Sequence, residues 1–205
     1  MTSSIKRIDM DYGRRAIHEA IGNQGEYNVY GKLAEVYGER KISYGASKIS
    51  EGTNGYPDLV LKLKEPIAIE VKSMVALSKH HNNYRFNTVK EFLTAWAEFT
   101  RKSKNKRMKR IMIVEIRTWM NNKRISEDGD PIIYHTKGED PTNYVYFWLD
   151  SPFLDKRFEN TKAKMVFHIG FWDIIRHGHK LEFTGKDFES VLKRKEDFMV
   201  RRLEG

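Results

Sequence analysis

The stretch GYPDLVLKLKEPIAIEVKS, residues 55–73, decides how this chain is read. Asp58 stands near its start, Glu70 and Lys72 near its end, and most residues between are apolar or β-favouring. Alternate residues of a strand share a face. In PIAIEVKS this puts Ile67, Ile69 and Val71 on one side, suited to a helix layer, and Ala68, Glu70 and Lys72 on the other. The preceding DLVLKL reads as a partner strand, and the short charged turn between the two would bring Asp58 beside Glu70.

Two carboxylates that converge in this way repel each other unless a cation lies between them. Oxygen-only ligands suit Mg²⁺, which takes one or two carboxylates and fills its remaining positions with water and phosphate oxygens. Such an ion polarises a phosphodiester and lowers the pKa of an attacking water. Lys72 would orient that water or neutralise charge growing on the phosphate. The pattern points to metal-assisted phosphodiester hydrolysis.

Around this pair of strands the chain reads as α/β. GEYNVYGKLAEVYG predicts a helix, preceded by a shorter one in RRAIHEAIG, and RKISYGAS predicts a strand. SKISEGTNGYP is a polar loop. Phe86, Val89, Phe92, Leu93, Trp96 and Phe99 fall at helical spacing and predict a helix from Phe86 to Thr100. IMIVEIRTW is the next strand. Helices alternating with strands in this order imply a mixed central sheet flanked by helices. Farther on, NNKRISEDGDP reads as a loop, YVYFWL and AKMVFHIGFWDII as strands, and GKDFESVLKRKEDFMVRRL as an amphipathic helix. These extra C-terminal elements would complete the sheet or form an oligomer surface.

Pro57-Asp58, eleven intervening residues, and then Glu70-Val71-Lys72 resemble the signature of the PD-(D/E)xK nuclease superfamily. The polar loop before Asp58, the AIEVKS strand and the helix and strand that follow are similar to archaeal Holliday junction resolvases. A Lys-rich chain without cysteine also resembles the resolvase-like nucleases of archaeal viruses, the fuselloviruses in particular. The resemblance spans about residues 25–118, and residues 119–205 match no pattern. It implies a restriction-endonuclease-like core within one domain over 1–205 and a Mg²⁺-dependent DNA endonuclease, with Mn²⁺ as a substitute. It also implies a homodimer or higher homo-oligomer, and branched DNA as the substrate. The alternatives are a nuclease for DNA ends, flaps or specific duplex sites, and a non-catalytic DNA-binding recombination scaffold. The Pro-Asp pair occurs once, whereas Glu-x-Lys recurs as Glu39-Arg40-Lys41 in a polar context, so the value lies in spacing, apolar flanks and strand phase together.

Members of this superfamily often carry a further Glu on the helix before the core. Glu26 lies on the stripe of Val29, Tyr30, Leu33 and Tyr37, so its carboxylate would face the sheet. Glu35, nine residues on, points to the opposite side, and Glu19 lies opposite Ile17 and Ile21 of the earlier helix. Glu26 is therefore the third candidate metal ligand beside Asp58 and Glu70; a plain N-terminal acid favoured by the helix dipole is the alternative.

Composition fits a nucleic-acid partner. Lys plus Arg number 37 against 28 for Asp plus Glu, a net charge of +9, and such an excess favours a polyanion. Candidate DNA contacts are Ser47, Ser50 and Thr53 in the polar loop and Lys79 and Arg85 in the segment after the key strand. Lys104, Lys106 and Arg107 join them, in a basic run that extends from Arg101 to Arg110. His177-x-His179 would place two imidazoles on one strand face, a weak signal for Zn²⁺ without a third ligand. The absence of cysteine excludes disulfides and thiolate metal sites. No apolar run reaches the length of a membrane span, and MTSSIKRIDMDYGRR lacks the apolar centre of a signal peptide. The expectation is a cytoplasmic protein with no membrane partner, including a virus-encoded one acting inside its host.

Overall fold

The computed structural model describes residues 24–44, 57–75, 78–80, 83–85, 88–118, 143–161 and 166–193. Helix α1 covers residues 24–37 and a turn of tighter helix at Glu39–Lys41 leads into β1, Ile42–Tyr44. Strands β2 (Leu59–Leu61) and β3 (Ile67–Val75) follow, then a ribbon of β4 (Ser78–His80) and β5 (Asn83–Arg85). Next come β6 (Thr88–Phe92), α2 (Leu93–Asn105) and β7 (Lys109–Thr118). The C-terminal part adds β8 (Asn143–Asp150), α3 (Ser151–Glu159), β9 (Val166–Gly170), α4 (Phe171–His177), β10 (His179–Lys180) and α5 (Glu189–Lys193).

Six strands form one mixed sheet in the order β1-β2-β3-β7-β8-β10. Every neighbouring pair is antiparallel except β3 and β7, which run parallel from Ile67 beside Lys109 to Val75 beside Arg117. A parallel pair needs a long crossover, and β4, β5, β6 and α2 supply it. The expected α/β class with a mixed sheet between helices is what the chain adopts. The C-terminal part does complete the sheet, through β8 on β7 and β10 on β8.

Both faces of the sheet are packed. Ile67, Ile69, Val71, Ile111 and Ile113 meet Val29 and Leu33 of α1 and Phe188 and Val191 near the C-terminal end. Ala68, Met74, Met112, Val114 and Ile116 meet Trp96 and Phe99 of α2, Leu154 of α3, Ile174 of α4 and Phe167 of β9. The sequence assigned an apolar layer to the Ile67 side alone; the Ala68 side is apolar too, with Glu70 and Lys72 interrupting it.

Two elements and one residue pair differ from the sequence expectation. The helix begins at Leu93, not Phe86: Thr88–Phe92 is strand, because it finds a ladder partner in β9, with Val89 opposite Ile169. Strand pairing overrides the helical spacing of its apolar residues. The expected strand AKMVFHIGFWDII stops at Gly170, where Asp173 accepts the Gly170 N–H at 3.1 Å and starts α4. His177 and His179 consequently sit on a helix end and a strand. One stacks on Phe153 and the other on Trp148, so they share no metal-binding face. The C-terminal helix is present over Glu189–Lys193, and RRAIHEAIG and NNKRISEDGDP lie outside the described residues.

The basic run divides into two kinds of residue. Lys104, Lys106 and Arg107 lie at the end of α2 and in the turn after it. Lys109 and Arg110 are buried, so they are structural and not open to phosphate. Lys109 Nζ donates to the carbonyls of Val191 and Leu192 and pairs with Glu65 at 3.0 Å, tying α5 to the sheet. Arg110 grips Asp155 of α3 through two hydrogen bonds of 2.7 and 3.1 Å, beneath the Trp96 ring. Arg110→Ala would leave Asp155, which water reaches in part, with the Trp96 Nε1–H at 3.3 Å but no guanidinium, and should lower unfolding free energy by about 2–3 kcal/mol. Lys106→Ala, at an exposed position, should cost less than about 0.5 kcal/mol. Urea denaturation of the two variants checks the contrast.

Candidate active site

The local reason for the site is a mismatch of strand lengths. β2 pairs with β3 only from Leu59 beside Ile69 to Leu61 beside Ile67. β3 runs on to Val75 along β7, and among the described residues its other edge has no ladder partner beyond Ile69. The Asp58 side chain takes up the first of these edge groups: its Oδ2 accepts the Val71 N–H at 2.7 Å. Pro57, which has no N–H to offer a ladder, immediately precedes it and is buried. The carboxylate is thus held against β3 at the level of Glu70.

Glu70 and Lys72 point to the same side of β3, one pleat apart, and Lys72 Nζ pairs with Glu70 Oε1 at 2.6 Å. Only 14% of the Glu70 side chain and 28% of the Lys72 side chain are exposed, so the pair is shielded and strongly felt. The proton affinity of Asp58 records the arrangement. Burial raises its pKa well above the ordinary carboxylate value, Glu70 raises it further, Lys72 opposes, and Glu26 adds to the rise. Two further carboxylates and one ammonium therefore act on Asp58 here.

Glu26 lies on α1 among Val29 and Leu33, which are fully buried, while Glu35 is exposed on the far side of the helix. The helical phase that separated these two acids in the sequence holds in the fold. Glu19 lies outside the described residues, as do Ser47, Ser50 and Thr53. Lys79 and Arg85 belong to the β4–β5 ribbon, where Lys79 is opposite Tyr84 and Arg85 opposite Ser78. Lys104, Lys106 and Arg107 fall at the other end of the strands from the site. Their turn abuts Pro66, whose carbonyl accepts the Lys109 N–H at 2.9 Å, and four residues of β3 from there to Glu70 span about 13 Å.

A second polar cluster escaped sequence reasoning. Glu115 of β7 is fully buried. It accepts hydrogen bonds from Asn28 Nδ2 of α1 (2.9 Å), Arg117 Nε (2.7 Å), Tyr146 OH of β8 (3.0 Å) and Ser73 Oγ of β3 (3.4 Å). Its position after IMIV at the far end of an apolar strand was the one available signal, since a carboxylate on a core face needs partners.

The oxygen donors of Asp58 and Glu70 fit a hard divalent cation, and so does the repulsion that raises the Asp58 pKa, which a cation would relieve. Among the described residues, no three carboxylate, imidazole or thiol groups converge tightly enough to form a metal cage. A pair of carboxylates is a donor set that Mg²⁺ takes, since that ion keeps several waters.

No protein-family model matches the sequence, and no curated protein matches it. Among solved structures, the chain is similar to Hjc, a Holliday junction resolvase from the hyperthermophilic archaeon Archaeoglobus fulgidus. Identity is 10%, the match covers 85% of this chain and 98% of that one, and the TM-score is 0.43. A likeness at that level assigns neither activity nor substrate. Among the described residues no helix is long and apolar enough to cross a membrane.

The raised Asp58 pKa yields a test in the absence of metal. The folded state binds the Asp58 proton more tightly than the unfolded chain does, so the ionised carboxylate costs stability at neutral pH. That cost begins to fall as pH drops through the folded-state pKa and is gone below the ordinary carboxylate range, where both states are protonated. Asp58→Asn, whose side-chain oxygen can still accept the Val71 N–H, should therefore raise Tm in chelator at neutral pH. Its advantage over wild type should shrink on acidification, as read by thermal melts across pH.

Proposed function

We propose that this protein is a Mg²⁺-dependent DNA endonuclease of the PD-(D/E)xK type, with Mn²⁺ as a substitute metal. The observation that carries the reading is the convergence of Asp58 and Glu70 at the edge where β2 parts from β3, with Lys72 paired to Glu70. Asp58 and Glu70 would hold the metal, with Glu26 as the further carboxylate reaching it from α1. The bound ion would supply charge neutralisation at the scissile phosphate and acidify an attacking water. Asp58 is fixed by the Val71 N–H, so its free oxygen is aimed without loss of rotamer entropy. Lys72 would hold the attacking water by its ammonium and offset the charge that develops on the phosphate. The shielding of Glu70 and Lys72 keeps these charges strong by excluding bulk water.

DNA is the polyanion that the +9 charge favours. A branched form such as a four-way junction is the best-supported class, through the resemblance of residues 25–118 to resolvases. Two symmetric copies would present two sites to the paired strands of a junction. Ser47, Ser50, Thr53, Lys79 and Arg85 would contact the backbone near the site, and Lys104, Lys106 and Arg107 a more distant stretch of it.

Labelled four-way junction and matched linear duplex, incubated with Mg²⁺ or chelator, test the reading. Wild type should cut the junction only with metal. Asp58→Asn and Lys72→Met should each lower the rate by about 10²–10⁴-fold while the junction still binds in chelator. Cleavage of linear DNA alone would keep the chemistry and discard the branched substrate. Binding with no cleavage of any substrate, with Mn²⁺ included, would leave a DNA-binding scaffold in place of an enzyme.

A further inference from the structure

Glu115 is the largest unexplained expense in the fold. It is a carboxylate with no exposed surface in the middle of a sheet, and an apolar residue there would generally cost less. Its partners reveal what it joins. Asn28 belongs to α1, Ser73 to β3, Arg117 to β7 itself and Tyr146 to β8. Only Asn28 comes from outside the sheet, and it lies two residues after Glu26. The Asn28 amide is itself set by Gln24, whose Nε2 donates to Asn28 Oδ1 at 2.9 Å one turn earlier.

The same turn of α1 is pressed onto β3 by a glycine. A Cβ at Gly25 would stand 1.8 Å from Ser73 Oγ and 3.2 Å from Ser73 Cβ, so a larger residue there would have to turn the Ser73 hydroxyl away from Glu115. Ser73 directly follows Lys72 on the strand that carries Glu70. The turn holding Glu26 is therefore set against β3 by a close contact on one side of that acid, and tied to β7 by a charge-assisted hydrogen bond on the other.

We infer that Glu115, acting through Asn28, is a positioning residue that sets Glu26 of α1 against Asp58 and the metal. The inference rests on the proposed metal site for its functional meaning, and on the packing of α1 for its geometry. Apolar contacts of Val29 and Leu33 alone would hold the helix to the sheet but allow it to slide or roll. A directional hydrogen bond at the end nearest the site removes that freedom.

The test is a double-variant cycle with two readouts. Mn²⁺ binding to the DNA-free protein is measured by calorimetry for wild type, Asn28→Ala, Glu26→Gln and the double variant. Asn28→Ala should weaken Mn²⁺ binding by about 10–100-fold, as loss of groups that orient metal ligands does, while lowering Tm by only about 2–4 °C. The double variant should bind no more weakly than Glu26→Gln, because both changes act through one carboxylate. Binding by Asn28→Ala within about twofold of wild type, or losses that multiply in the double variant, would overturn the inference. Glu115→Gln, which keeps the shape but loses the charge that holds Arg117, should reproduce the Asn28→Ala loss, and wild-type affinity in a folded Glu115→Gln protein would contradict it.

Should wild type bind no Mn²⁺, the metal reading has failed, and amide hydrogen exchange decides the positioning claim separately. Asn28→Ala should speed exchange in the first turns of α1 and leave β3 and β7 protected. Exchange in α1 equal to wild type would overturn the inference.

Discussion

A backbone N–H that the sheet leaves without a strand partner organises this protein. β2 is short and β3 is long, so the edge of β3 past Ile69 must be satisfied by something other than a β2 backbone carbonyl. The Asp58 carboxylate does so at Val71. That one contact is worth little more than any charged hydrogen bond, but it fixes a charge beside Glu70 in a place where water is scarce. With it goes the raised proton affinity of Asp58, pushed up by burial and by Glu70, beside the Lys72–Glu70 pair. A longer β2 would give a more regular sheet, with a backbone carbonyl in place of the Asp58 carboxylate at Val71.

The rest of the fold holds this arrangement still from several directions. α2 and the β6–β9 ribbon fill one face, and α1 with α5 fills the other. Charged groups appear where elements have to be fixed in direction and not merely covered. Arg110 ties α3 to β7, Lys109 ties α5 to it, and Glu115 ties α1 to three strands. Each is a buried charge with partners from a second element, the arrangement that specifies one packing among several of similar apolar content.

The key strand pair was legible because strand alternation is local: Ile67, Ile69 and Val71 announce a face, and Glu70 and Lys72 the other, without knowledge of any neighbour. The facing of α1 was legible for the same kind of reason, since helical phase turns Val29 and Leu33 to the core and Glu35 to solvent. What the sequence hid depends on partners distant along the chain. Thr88–Phe92 has apolar residues at helical spacing, and only the presence of β9 makes it a strand. Glu115 carried no assigned role in the sequence, because the groups that enclose it come from β8 and α1, distant along the chain. Lys109 and Arg110 were indistinguishable from Lys106 and Arg107 in a basic run; the start of β7 buries the former two and leaves the latter exposed.

The central claim is that Asp58 and Glu70 jointly hold a divalent cation. Crystals of the protein grown with Mn²⁺ and measured at an energy where manganese scatters anomalously test it most directly. The account predicts an anomalous peak touching carboxylate oxygens of both Asp58 and Glu70, with Glu26 as a direct or water-mediated neighbour. A peak elsewhere with none here, or no peak at saturating Mn²⁺, would contradict it.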